Sequence, residues 1–299
     1  AALPAATSFI ELHGATGHNL KGDLLRIPMG RLTCITGPSG SGKSSLVFGT
    51  LLPLLESARG ATPEEEPLPH ERLRLPRGID HVVSVDQGSL GRTARGNPAT
   101  YLGVWDAFRK ALSGTPLAKE RGYQAGFFSF NVEGGRCETC RGEGAETVEM
   151  QFLSDVTFSC ATCQGRRFVG PVLDVRLGDH NVADLLELTV TRALALHGHI
   201  KAVRTGLEPL ARLGLGYLRL GQSLATLSGG EAQRLKLAAA LATTRADALI
   251  LMDEPSAGLH AADLAPLLSC LDELVQKGAT VVLVEHDMRI AARADHVID

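Results

Sequence analysis

Apolar residues gather into three short unbroken runs: "RLTCIT" at 31–36, "DALILMD" at 247–253 and "ATVVLVEH" at 279–286. Runs of this length without alternation predict strands buried on both faces. Helical spacing of apolar positions covers 44–55, 230–243 and 262–276. The predicted class is therefore α/β, a parallel sheet with crossover helices. A fourth run, "HVVSVD" at 81–86, leads to Gln87 and the Gly-, Pro- and Arg-rich loop "GSLGRTARGNPAT".

The middle of the chain departs from this pattern. Residues 115–170 are crowded with glycine and hold six of the nine phenylalanines, together with four cysteines in two pairs. That shift marks an inserted module, after which 181–197 and 199–212 read as two helices. The stretch 63–78, "PEEEPLPHERLRLPRG", reads as a polar, Pro-punctuated surface loop. The expected organisation is an α/β domain in two parts, 1–87 and 227–299. They flank an inserted helical and signature region, 88–226, with a metal module at about 120–170. The Ala- and Pro-rich first eight residues resemble a linker and the chain stops within a strand-like "ADHVID". A piece of a longer protein is expected, or a natural half-length chain.

Acids and bases nearly cancel, 33 against 30, so any nucleic-acid surface must come from local arrangement and not from total charge. No apolar run reaches the length of a bilayer span, and the N-terminus lacks the basic start and apolar block of a signal peptide. The cytoplasm is the expected compartment, without membrane association. There, paired cysteines read as metal ligands before disulfides. Cys34 and Cys270, in apolar segments, read as small buried hydrophobes.

"GPSGSGKSS" at 37–45 fits G-x-x-x-x-G-K-[ST], between a predicted strand and a predicted helix. Its residues Gly37, Pro38, Ser39, Gly40, Ser41, Gly42, Lys43, Ser44 and Ser45 are the expected phosphate cradle for ATP. Glycines let main-chain N–H groups turn inward, and the helix start adds positive potential. Lys43 is expected at the β/γ-phosphates and Ser44 on Mg²⁺. Asp253, ending its strand, is expected to organise the same ion, and Glu254 to accept a proton from the attacking water. Gln87 is placed to reach metal and water, and His286 the γ-phosphate, each at a carboxyl strand end where such sheets bind ligands.

Cys137-x-x-Cys140 and Cys160-x-x-Cys163 have the spacing of a four-thiolate Zn²⁺ site, closed and hence structural. A redox dithiol pair is the alternative. Glycine stands two positions after the second cysteine of each pair, where a tight turn can aim amides at sulfur. The module's charges are six basic and seven acidic over 119–168. Even so, Arg136, Arg141, Arg166 and Arg167 flank the cysteines, and Arg92 and Arg95 lie in the loop after Gln87. These six are the candidate DNA-phosphate contacts.

"LSGGEAQR" at 227–234 completes a series. Phosphate loop, Gln87, "LSGGE", "LMDEP", "SAGLH" and His286 occur in the order of the ATP-binding-cassette (ABC) ATPases, which the chain closely resembles. The resemblance implies that Ser228, Gly229 and Gly230, with Glu231 beside them, contact the γ-phosphate held by an opposite cassette. A four-cysteine insertion upstream of that signature resembles the UvrA family of excinuclease proteins, specifically its second, C-terminal ATPase half. "RGYQAGFFSFNVEGGRCETCRGEG", "VEMQFL" and "LGLGYLRLGQSLATLSGGEAQRLKLA" carry the likeness across nearly the whole chain. It implies ATP hydrolysis in DNA-damage recognition for nucleotide excision repair. Partners implied are DNA, a second cassette in the same polypeptide or a homodimer, and a helicase subunit docked through a first half absent here. Ser256-Ala257 stands where the repair proteins usually show two threonines, which points to a paralogue, including UvrA-like proteins of resistance to DNA-binding antibiotics.

Other classes fit less. A transporter motor would have a short helical subdomain where this chain has a zinc module, and a zinc-hook ATPase would need coiled-coil heptads. An isolated half that binds ATP without hydrolysing it is the non-enzymatic alternative.

Overall fold

The unbroken apolar runs become neighbouring strands, because a strand apolar on both faces is stable only between other layers. The computed structural model describes residues 6–79, 81–86, 88, 90, 95–148, 156–244, 246–259 and 264–299. The chain divides into two compact units, Ala1–Gly88 with Ala240–Asp299, and Ser89–Ala239.

In the first unit a five-stranded sheet runs in the order His296–Ile298, Leu32–Ile35, Thr280–Val284, Ala248–Asp253, His81–Val85. Every pairing is parallel. Register decides where the chemistry emerges: Ile35 pairs with Val284, and Val284 with Asp253. Three chain segments thus leave the sheet side by side at its carboxyl edge. Helix Leu264–Gln276 covers the sheet with Leu267, Cys270, Leu271 and Leu274, all buried. The helix after the glycine loop runs as Lys43–Leu46, a π-turn at Val47–Leu51, and Leu52–Ala58.

A second, antiparallel sheet orders Leu25–Pro28, Phe9–His13 and Arg72–Arg74. Alternation along Phe9–His13 buries Ile10 and Leu12, which join Ile27, Val47, Leu251 and Val282 in one core. The expected loop at 63–78 is corrected here, since it contributes the strand Arg72–Arg74, paired with Glu11–His13. An edge strand needs its main chain more than apolar side chains, so its charged sequence concealed it.

The second unit is mainly short helices around an aromatic core. Trp105 lies 5.8 Å from Phe130, Phe130 6.4 Å from Phe168, and Phe108 meets His197 edge-on at 5.4 Å. The single helix expected over 181–197 is two, Val182–Glu187 and Val190–His197. Leu188 is extended, and the Thr189 hydroxyl accepts from the Arg192 N–H to start a new helix. The signature helix, Gly229–Thr243, starts in this unit. No helix among the described residues is long and apolar enough to cross a membrane.

Candidate nucleotide site and metal centre

At the carboxyl edge of the parallel sheet lies a cavity of about 610 Å³. Gly37, Pro38, Ser39, Gly40 and Gly42 line it with Lys43, Ser44, Ser45, Glu254 and His286, while Ser41 and Asp253 are not among its lining residues. Gly37, Gly40 and Gly42 have φ of 133°, 80° and 100°, a region that side chains with a Cβ rarely enter. Gly42 is also the N-cap of the following helix, and no side chain caps it. Its first amides therefore remain available to an anion. Lys43 Nζ donates to the carbonyls of Gly37 and Pro38, both at 2.9 Å, which holds the ammonium within the loop.

The Ser44 hydroxyl faces Asp253 Oδ1 at 3.5 Å. Burial, then the neighbouring Glu254, raises the Asp253 pKa above the ordinary carboxylate value, against the hydrogen bond from Ser44. A divalent cation between hydroxyl and carboxylate would relieve that penalty, so the pair fits Mg²⁺. Glu254 sits at φ 44°, a left-handed conformation uncommon for glutamate. Its N–H donates to Val284 O at 2.8 Å and its carbonyl accepts from the Ala257 N–H at 2.9 Å, which maintain that turn. Glu254 Oε1 is 3.7 Å from His286 Nδ1. Gln87 lies outside the described residues.

Sequence reading missed two residues of the cavity, His18 and Asn19. His18 Nδ1 is 2.9 Å from Ser45 Oγ, and Asn19 Nδ2 donates to Gly40 O at 2.8 Å. They come from the turn after the first antiparallel strand, and "GHNL" carries no phosphate-loop signal of its own. Cys34, beneath the site, is pushed up to about 11 by burial and by Glu285, so it remains a buried thiol.

In the second unit the four paired cysteines are buried, with their sulfurs all within 4.8 Å of one another. A tetrahedral Zn²⁺ with thiolates at about 2.3 Å requires sulfurs about 3.8 Å apart, and Cys140 Sγ and Cys163 Sγ are 3.7 Å apart. Each knuckle turns through consecutive left-handed residues, Arg141 and Gly142 at 50° and 85°, Gln164 and Gly165 at 52° and 82°. A Cβ on Gly142 would lie 2.0 Å from Phe130 O, so only glycine fits. The Gly144 N–H donates to Cys140 Sγ at 3.2 Å. Burial raises Cys140 and pushes Cys163 up to about 12. At Cys137 burial is outweighed by the amides of Cys140 and Thr139, which draw its pKa down to about 7. The donor set fits a divalent metal, which would convert all four to thiolates.

The arginines divide. Arg136 is bound to Glu138 at 3.2 Å and Glu133 at 3.3 Å. Burial lowers the Arg167 pKa, its Nη2 donates to Gly221 O at 3.1 Å, and its guanidinium lies 5.6 Å from the Phe130 ring. Arg95 faces Glu143 at 3.5 Å. Arg141 and Arg166 are exposed. Arg92 lies outside the described residues.

At the signature, Ser228 and Glu231 form a reciprocal capping box. The Ser228 N–H and hydroxyl donate to Glu231 Oε2 at 2.7 and 2.9 Å, and the Glu231 N–H donates back to Ser228 Oγ at 3.3 Å. Tyr217 donates to the other Glu231 oxygen. Burial opposes the Glu231 carboxylate, but the hydrogen bonds from Tyr217 and Ser228 leave its pKa lowered. The structure thus gives Glu231 a local capping contact. Gly229 and Gly230 open the helix.

No family model matches the chain. It is 47% identical over 294 residues to UvrABC system protein A of Thermus thermophilus, covering 97% of this chain and 31% of that protein. To UvrABC system protein A of Vitreoscilla stercoraria it is 44% identical, over 98% of this chain and 52% of the relative. The crystal structure of UvrA2 from Deinococcus radiodurans superposes with a TM-score of 0.87 at 45% identity, covering 98% of this chain and 35% of that one. The chain spans 31% to 52% of the length of these relatives.

Proposed function

We propose that this chain, homologous along nearly its whole length to part of UvrA, is an ATP-hydrolysing cassette of a DNA-damage recognition protein in nucleotide excision repair. One observation carries the reading: the parallel register brings the glycine loop, with Ser44 in contact with Asp253, and the Glu254–His286 pair to one cavity. In it the loop amides and Lys43 bind the phosphates of ATP, and Ser44 and Asp253, with Gln87, hold Mg²⁺. The ion supplies charge neutralisation on the phosphate oxygens. Glu254 accepts a proton from water as the oxygen bonds to the γ-phosphorus and the bridging oxygen leaves with ADP. His286 donates a hydrogen bond to the γ-phosphate.

Turnover requires a second cassette, because Ser228, Gly229 and Gly230 match the signature that in ABC ATPases contacts the γ-phosphate held by an opposite cassette. The zinc is structural, since four thiolates close the coordination sphere. Arg141 and Arg166, exposed beside the metal, are the favoured DNA-phosphate contacts of the six arginines, and such contacts are salt-sensitive. A helicase partner would dock through the part of the protein beyond this chain. The names of the relatives favour excision repair over the resistance paralogue suggested by Ser256-Ala257.

The test supplies the other ATPase half and compares damaged with undamaged DNA in Mg·ATP. Tighter binding to damaged DNA that weakens with salt is expected. In the same assembly Ser228→Arg should cut turnover about 100-fold, the scale of one lost transition-state donor, with ATP affinity kept within about twofold. DNA binding that is absent with ATP and partner present, or an ATP affinity that collapses with normal turnover per bound nucleotide, would refute the reading.

A further inference from the structure

Glu285 precedes His286 and is the one carboxylate among the described residues that is fully buried. Its two oxygens serve different chain segments. Oε1 accepts from the Ser256 N–H at 2.9 Å, in the turn that follows Glu254. Oε2 accepts from the N–H groups of His286 at 3.0 Å and Asp287 at 3.1 Å. A buried carboxylate is costly unless donors surround it, and here three amides do so without an arginine or lysine. An apolar residue would fill the same volume at less cost, so packing alone does not account for a charge-bearing group.

The geometry points to a positioning role: Glu285 clasps the turn carrying Glu254 to the segment carrying His286 and so holds the imidazole where it meets the γ-phosphate. The clasp explains two features together. Glu254 keeps its left-handed φ of 44° because the turn behind it is anchored at Ser256. His286, although 63% exposed at its side chain, remains 3.7 Å from Glu254 because its main chain is tied from beneath. Glu285 is not among the residues lining the cavity, and it acts through the two residues it places.

This inference rests on the proposed ATP site, and the experiment separates the two. Mg·ATP and Mg·ADP affinities are measured by titration calorimetry on the 299-residue chain, Glu285→Gln, His286→Ala and the double variant. Only ATP presents a γ-phosphate, so a displaced His286 lowers the preference for ATP over ADP. Glu285→Gln should keep ADP affinity within about twofold and cut that preference about tenfold, the scale of one charge-assisted hydrogen bond. The double variant should lose no more than His286→Ala alone, because both remove one interaction. An unchanged preference, or additive losses, would overturn the clasp. If Glu285→Gln fails to fold, amide exchange in the native chain decides. Joint protection of the Ser256, His286 and Asp287 amides supports the clasp, and free exchange of any one overturns it. A native chain that binds neither nucleotide would defeat the proposed function, while the amide protection would still test Glu285.

Discussion

The glycine loop at 37–45 and the paired-cysteine knuckles use the same backbone device in different surroundings. Both turn through residues at positive φ so that main-chain N–H groups can surround negative atoms, phosphate oxygens in one case and sulfurs in the other. They differ in what stands outside the turn. A Cβ on Gly40 would meet nothing within 4 Å, and the loop faces a cavity of about 610 Å³. A Cβ on Gly142 would strike Phe130 O at 2.0 Å, and one on Gly144 would strike Gly165 O at 2.8 Å. An open cradle suits a ligand that exchanges, and a cradle backed by main chain suits one that remains. The same glycine geometry therefore suits an exchanging ligand or a resident one according to its surroundings.

Metal removal should produce the largest effect. Structural zinc contributes on the order of 10 kcal/mol to the folding of such modules. Chelation should therefore abolish the cooperative unfolding transition of the Ser89–Ala239 unit, read by calorimetry, and elemental analysis should find about one zinc per chain before treatment. A metal-free chain with an unchanged transition would remove the contrast.

Next comes Lys43→Ala, which deletes the cation of the open cradle. Mg·ATP affinity should fall about 100-fold, near the upper range for charge-assisted hydrogen bonds, with zinc content unchanged. The difference between paired glycine substitutions is smaller, about 2 kcal/mol. Gly142→Ala combines positive φ with main-chain overlap and should cost about 3 kcal/mol or more. Gly40→Ala carries only the φ penalty, about 1 kcal/mol. Equal losses in denaturant unfolding would show that surroundings do not distinguish the two turns.

The smallest effect belongs to Glu231→Gln in the signature capping box, about 1 kcal/mol. Its folded pKa is lowered, so the carboxylate's contribution is complete above its unfolded pKa. It disappears as pH falls through the folded pKa. The difference between native and variant should thus be constant at neutral pH and vanish in acid. A difference that grows in acid would contradict the assignment.

The legible parts of the molecule were those whose physics is local. The unbroken strands show in the sequence because burial on both faces demands apolar residues throughout. The cysteine pairs show because C-x-x-C spacing is a local pattern of the chain. What stayed hidden depended on partners distant in sequence. The strand Arg72–Arg74 is visible only once Phe9–His13 lies beside it. His18 and Asn19 join the cavity only through the turn that brings them to Ser45 and Gly40. Of the arginines beside the cysteines, the structure commits Arg136 to two glutamates and Arg167 to an aromatic face, and it leaves Arg141 and Arg166 exposed. Spacing could not make that distinction, since all four flank the metal equally.

The amino-acid sequence by itself determined the α/β class, the glycine loop and the four-cysteine set, because residue type and spacing are sufficient for each. Only the tertiary structure decided the register that aligns Ile35, Val284 and Asp253. It alone decided the enclosure that separates an open cradle from a closed one, and the burial that turns Glu285 into a clasp. Those properties arise from distances between segments remote in the chain, and no local pattern encodes them.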